Sequence, residues 1–331
     1  MTTPSSHAIA LLAPGAMGAA IAARLLAFGA GTILTHLDGR SEATIQRARE
    51  SNMQHASYAE IAKRATCIYS VVPPVDAFGV AEAVVGAYRA AGNQRELVFV
   101  DCNAVNPESV KRMATLFDGT GITFLDGVII GPPPTDSFNP GIYVSADPKD
   151  VAILDEFVLM STKFGLNVIP LKGEGAGIGD ASALKMAHGG IVKGTIGLFT
   201  MMILSANAAS PSTAEGLLHA LNLSQPVFVD RAHHSLHPGD ASQGVPLRRR
   251  DGGGRRLRRA RSAGARTFEG LAGIFARVAS AQELSVGVST AQADGVGVAK
   301  AQENTLGDVE LLLKFVEQAR ETRVKEPVRG V

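Results

Sequence analysis

The strongest constraint on the fold lies near the amino end, where the apolar run Ala8 to Leu12 passes through Ala13-Pro14-Gly15-Ala16-Met17-Gly18 into a second apolar stretch ending at Phe28. The first run reads as a buried parallel strand, Ala16 to Phe28 as a helix stopped by Gly29 and Gly31, and Thr32 to Leu37 as the next strand. Strand, glycine turn, helix and strand in that order form a unit suited to a dinucleotide. Glycine lets the backbone approach a diphosphate, and the unpaired amides at the helix N-terminus face its negative charge. Gly15, Ala16, Met17 and Gly18 are the expected contacts. The usual pattern begins with a third glycine, replaced here by Ala13. A glycine-containing turn of some other α/β protein is the alternative reading.

Further along, strands and helices continue to alternate. Helices are expected near 41–51, 58–64, 76–90, 107–117 and 150–164, and strands near 67–72, 97–101, 123–125, 142–145 and 167–169. Such spacing predicts an α/β fold built on a doubly wound, mainly parallel Rossmann sheet. A chain of 331 residues with 46% hydrophobic and 19% charged residues has material for two sizeable cores. The expected boundary follows the sheet: 1–172 as a nucleotide-binding domain and 173–331 as an all-helical domain for substrate and dimerisation.

The character changes at Gly173-Glu174-Gly175-Ala176-Gly177-Ile178-Gly179-Asp180, which reads as a hinge with Asp180 placed to cap a helix from Ala181 to about Ala209. That helix is apolar around much of its circumference, so burial between domains or subunits is expected. Lys185, His188 and Lys193 argue against its spanning a membrane, and Arg24 with the glycines argues against reading residues 7–31 as a signal peptide or span. Only Cys67 and Cys102 occur, both placed to pack rather than react, as suits a reducing cytoplasm.

Four blocks together resemble the β-hydroxyacid dehydrogenase and 6-phosphogluconate dehydrogenase superfamily: Pro14-Gly15-Ala16-Met17-Gly18, Ser70-Val71-Val72-Pro73, Phe124-Leu125-Asp126-Gly127-Val128-Ile129-Ile130-Gly131 and Ala181-Ser182-Ala183-Leu184-Lys185-Met186. Asp38-Gly39-Arg40-Ser41 and the Ile129 to Pro134 segment look most like a branch with its own C-terminal domain of unknown function. The resemblance implies an oxidoreductase that moves a hydride between a nicotinamide cofactor and a small hydroxy acid, carbonyl or imine. It also implies a homodimer and gives Lys185 the role of general acid/base. A lysine partly desolvated in an apolar cleft can exchange a proton with a substrate oxygen. Snorkelling of Lys185 from a buried helix is the alternative.

Two positions depart from the family pattern. Gly189 stands where an asparagine usually orients the substrate, and Ile130 where a serine usually meets its carboxylate. Backbone amides of Ile130 and Gly131 remain candidate substrate contacts, and His188 is another, with simple packing as its alternative. Asp38 fits the spacing for the ribose hydroxyls of NAD, whereas Arg40 and Ser41 match the family's pattern for a 2′-phosphate. NADP is the expected cofactor and NAD the alternative. Val72, Pro73 and Asn103 end strands on the ligand side, and Asn103 is either a nicotinamide or substrate contact or a turn former. No metal site is expected.

A net charge of +1 gives no overall case for nucleic acid or an acidic membrane. The local case is residues 231–266, with ten Arg and no Lys, but they lack aromatic residues for stacking on bases. A different explanation fits better. Arg248 to Arg255 can be encoded by CGT CGC CGA GAT GGA GGA GGC CGC, which read one base later spells VAEMEEAA, an amphipathic helical sequence that resembles the family there. Residues 231–264 are therefore expected to be an out-of-frame translation, aberrant or disordered, with family-like sequence resuming at Thr267.

Overall fold

The structure is a computed structural model and describes residues 8–92 and 96–225. The Arg248–Arg261 run and the resumption at Thr267 lie outside the described residues. The chain divides into two compact units, Met1–Ala187 and His188–Val331.

In the first unit, strands β1 (Ala8–Leu12), β2 (Ile33–Thr35), β3 (Gln54–His55), β4 (Ala65–Ser70), β5 (Leu97–Asp101), β6 (Ile122–Ile130), β7 (Gly141–Ala146) and β8 (Asn167–Pro170) form one sheet. Its order is β3-β2-β1-β4-β5-β6-β7-β8. The first six strands run parallel, β7 lies antiparallel to β6, and β8 follows β7. The chain leaves β1 toward one edge and returns to β4 on its other side. Ligands of open α/β sheets sit beyond the strand ends at such a reversal.

Helices cover both faces. On one, α1 (Ala16–Ala27) and α6 (Val151–Lys163) bury Ile21, Leu25, Leu154 and Phe157 against the sheet, with α2 (Glu42–Glu50) adding Ala48. On the other, α3 (Tyr58–Arg64), α4 (Ala77–Ala90) and α5 (Pro107–Ala114) contribute Ile61, Val84, Val110 and Met113. Both faces being covered explains why β1 is apolar at every position rather than alternating. Ser41 caps α2 and Ser57 forms a capping box on α3, while Pro107 opens α5 after an Asn106 cap.

Some expectations are revised. The strand foreseen at 123–125 extends over Ile122–Ile130, so Ile130 closes a strand rather than lying in a loop. The helix foreseen to Phe117 ends as α at Ala114 and tightens into a 3-10 turn, Thr115–Phe117. Helix α7 spans Asp180–Ala209, and Asp180 is its first residue. Its carboxylate accepts from the Gly177 amide, so it braces the preceding turn instead of capping the helix.

In the second unit, α7 buries Phe199 and Ile203 against Ala214 and Leu218 of α8 (Pro211–Ser224). Ile191, Leu198 and Met202 are exposed, so all-round burial of the long helix is not observed. By length and composition alone α7 could cross a membrane, but Lys185 and Lys193 lie within it and its first turn is bonded to a globular sheet.

Candidate functional site

The turn after β1 has the form an anion-binding helix start requires. Ala13 takes a left-handed φ of 62°, and the Gly15 amide closes back on its carbonyl at 2.8 Å. α1 then begins with Gly15 as N-cap and no side-chain cap, and a Cβ built on Gly15 would meet nothing within 4 Å. The backbone there borders open space, so a diphosphate could approach it closely. Gly18 serves packing: a Cβ would lie 2.7 Å from the Ala13 carbonyl oxygen and 2.8 Å from Leu11 Cδ2. Ala16 is exposed and Met17 partly so, beside the opening. Arg47 of α2 ties the turn from outside, donating to the Pro14 carbonyl at 3.1 Å.

Beyond β4 and β5, Val72 is buried and Pro73 exposed. The Val72 amide donates to Asn103 Oδ1 at 2.7 Å, while Asn103 Nδ2 donates to Ser70 Oγ at 3.1 Å and to Asp101 Oδ1. Both amide hydrogens of Asn103 are thus engaged within the sheet. Through these bonds Asn103 braces two strand ends against each other.

Behind it lies a pair of buried carboxylates, Asp101 and Asp126, opposite one another on β5 and β6. Asp126 accepts from the Ser182 hydroxyl at 2.8 Å, the Gly179 amide at 2.9 Å, the Ser182 amide at 3.1 Å and Ser145 Oγ at 3.3 Å. Burial raises its pKa to about 6 against these donors. Asp101 has less support, and burial followed by the neighbouring Asp126 charge raises it to about 8. Asp101 therefore keeps its proton to higher pH than Asp126 does.

Through those bonds Asp126 seats the first turn of α7 on β6, and Lys185 follows one turn later. Its ammonium donates to the carbonyl of Ile129, next to the partly buried Ile130 and to Gly131. Gly131 has a φ of 129°, and a Cβ there would lie 2.8 Å from Phe138 Cζ. The structure therefore brings Lys185, Ile130 and Gly131 to one strand end. His188 is exposed and opens the second unit.

At the end of β2, Asp38 is exposed between two imidazoles, 3.7 Å from His36 Nε2 and 3.6 Å from His55 Nε2. Tyr58 stacks on His36 with ring centroids 4.3 Å apart. Burial raises the Tyr58 pKa, and the nearby Arg40 charge opposes that shift. Ser41 is occupied in part as the α2 cap, accepting from the Thr44 amide at 3.4 Å.

Residues 8–160 match the family described as the NAD binding domain of 6-phosphogluconate dehydrogenase. That match takes in the turn after β1 and the sheet through β7. Among solved structures, 3-hydroxyisobutyrate dehydrogenase of Mycobacterium tuberculosis is similar with a TM-score of 0.64 at 18% identity, covering 83% of this chain and 94% of its own. A conserved hypothetical protein from Sinorhizobium meliloti gives 0.63 at 20% identity, covering 94% and 97%. An imine reductase from Myxococcus stipitatus, solved with NAD+, gives 0.50 at 19%, covering 73% and 78%. No curated protein matches the chain by sequence. The superfamily likeness and the Rossmann fold read from the sequence are borne out.

In the first unit, no role was legible in the sequence for Asp101, Asp126, Ser145 or Ser182. A signal was present: an aspartate inside the apolar run Phe124 to Ile130 has to find partners once buried. The two cysteines are buried, with both thiols pushed well above their usual range by desolvation, so they pack. Among the described residues no three His, Cys, Asp or Glu side chains group to hold a metal ion.

Proposed function

We propose that the protein is a nicotinamide-dependent oxidoreductase acting on a small hydroxy acid, carbonyl or imine, with Lys185 as general acid/base and NADP as cofactor. The observation that carries the reading is the position of Lys185, whose ammonium is held by the Ile129 carbonyl at the end of β6, on the ligand side of the nucleotide-binding sheet. Similarity to 3-hydroxyisobutyrate dehydrogenase and imine reductase structures supports the reaction class.

Gly15 to Gly18 would hold the diphosphate by backbone amides, and Val72 and Pro73 would line the path toward the nicotinamide. Asp38, Arg40 and Ser41 would meet the ribose and its 2′-phosphate, with Arg40 providing the cationic partner. When bound, the nicotinamide supplies the hydride donor or acceptor. Lys185 Nζ then gives a proton to the substrate oxygen or nitrogen on reduction and recovers one on oxidation. The Ile130 side chain, standing where a serine is usual, cannot hydrogen-bond a carboxylate, so a less acidic substrate than the usual hydroxy acid is favoured. His188 is proposed as a further substrate contact. A cytoplasmic homodimer, with the domain boundary near 172, completes the proposal.

The test measures NADPH and NADH oxidation over a panel of ketones, keto acids and cyclic imines. Lys185→Ala is expected to lower kcat by about 10²- to 10⁴-fold while leaving nucleotide affinity unchanged. Undiminished turnover in that variant removes Lys185 from the chemistry. Tight nucleotide binding without turnover on any substrate would favour a non-catalytic nucleotide-binding protein, a reading that Ile130 and Gly189 support by standing where polar partners are usual.

A further inference from the structure

We infer that His36 is a pH-sensitive selectivity residue, setting whether the Asp38 end of the nucleotide site accepts a plain ribose or a 2′-phosphorylated one. The inference rests on the cofactor site proposed above and adds to it a residue and a mode of regulation.

The two imidazoles beside Asp38 are not equivalent. His36 Nδ1 lies 3.2 Å from the Ala56 carbonyl oxygen, which can only accept, so Nδ1 carries a hydrogen. In the neutral ring Nε2 is then bare, and it stands 3.7 Å from Asp38 Oδ2, beyond hydrogen-bond length. Protonation places a new N–H on that nitrogen, within ion-pair distance of the carboxylate, and no existing bond is lost. His55 differs: its Nδ1 accepts from the Leu37 amide at 3.3 Å, so its hydrogen already sits on Nε2, 3.6 Å from Asp38 Oδ1. Charging His55 would break the Leu37 bond. Taking up a proton therefore costs His36 no hydrogen bond and costs His55 one.

The consequence for ligand choice is electrostatic. With His36 neutral, the Asp38 carboxylate is free to accept ribose hydroxyls and repels a 2′-phosphate. With His36 charged, the ion pair occupies Asp38 and leaves Arg40 facing the phosphate. The other charged and titratable groups around the pair are Tyr58, stacked on His36 and sensing Arg40, and Glu60 of α3, whose carboxylate is lowered chiefly by its Ser57 bonds and slightly by His55. Glu60 acts on His55 and is itself held by the capping box, so Asp38 is left as the acceptor that answers His36.

The full chain is titrated with NADP+ and NAD+ between pH 5.5 and 8.5, as wild type and as His36→Gln. Phosphate protonation near pH 6 weakens NADP+ binding in acid for both proteins, so the quantity read is the difference between them. Wild type is expected to gain about tenfold in NADP+ over NAD+ preference, relative to the variant, on passing from the alkaline to the acid end. Calorimetry of wild type in two buffers of different ionisation enthalpy needs no variant. Near pH 7, binding of NADP+ should take up more protons than binding of NAD+, whereas phosphate ionisation alone gives the opposite sign. Equal pH profiles for the two proteins, or no excess proton uptake, overturn the inference while leaving the cofactor site intact. Absence of binding by either nucleotide at any pH overturns both.

Discussion

Ala13 holds a backbone conformation that an alanine disfavours. A left-handed φ of 62° brings the Cβ of an L-residue against the following carbonyl, at a cost of about 1–2 kcal/mol. Glycine removes that cost but loses about 0.5–1 kcal/mol of chain entropy on folding. The difference favours glycine, so Ala13→Gly is expected to stabilise the protein by about 0.5 kcal/mol, read as a higher urea midpoint. Nucleotide affinity should be kept, because the Gly15 amide still closes on the residue-13 carbonyl. A lower midpoint would mean that the alanine is unstrained there. Gly18 shows the opposite case, since any Cβ at that position collides with that same carbonyl. The need for glycine at 18 was legible from the turn pattern. The strain at 13 was not, because an alanine in a sequence carries no mark of its φ.

Between elements, the decisive contact is β6 reaching across to start α7. Asp126 gathers two backbone amides and two hydroxyls around a buried carboxylate, a denser set than any local helix cap among the described residues. Asp126→Ala strands the amides of Gly179 and Ser182 without acceptors, and each buried orphan costs about 1–3 kcal/mol. A loss of about 3 kcal/mol in chemical denaturation is expected, with a fall in kcat, since Lys185 hangs from that first turn. Nucleotide affinity measures the turn after β1 and should change little. A variant with unaltered stability would show that water replaces the carboxylate. The legibility of the elements follows the same division between local and distant causes. Strands β1 and β5 and helices α3 and α4 carry their apolar pattern or caps in their own residues, and their positions were readable within a residue or two. β3 is two exposed residues with no apolar signature, held by pairing to β2. β6 was read short because Asp126 and Gly127 interrupt its apolar run. The cap on α7 was misassigned to Asp180 because its real acceptor lies 53 to 56 residues away.

For the whole molecule, the paired carboxylates couple global stability to pH. Asp101 and Asp126 face each other in register on neighbouring strands, and Asp101 Oδ2 has no hydrogen-bond partner among the described residues. Unfolded, both acids titrate near the ordinary carboxylate range; folded, Asp101 is raised to about 8 and Asp126 to about 6. Between the unfolded and folded values the native state therefore holds protons that the unfolded chain has released. By linkage, stability falls as pH rises through that window and levels off above about pH 8. Each fully exchanged proton contributes a slope of about 1.4 kcal/mol per pH unit. Guanidinium unfolding at pH 5.5, 7 and 8.5 should show the protein weakest at the alkaline end. Asp101→Asn keeps the Oδ1 acceptor for Asn103 and removes one titrating proton, so its stability should vary less as pH rises toward 8. A wild-type protein equally stable at all three pH values would require Asp101 to be ionised at neutrality, and two adjacent negative charges would then sit buried at the base of the helix that carries Lys185.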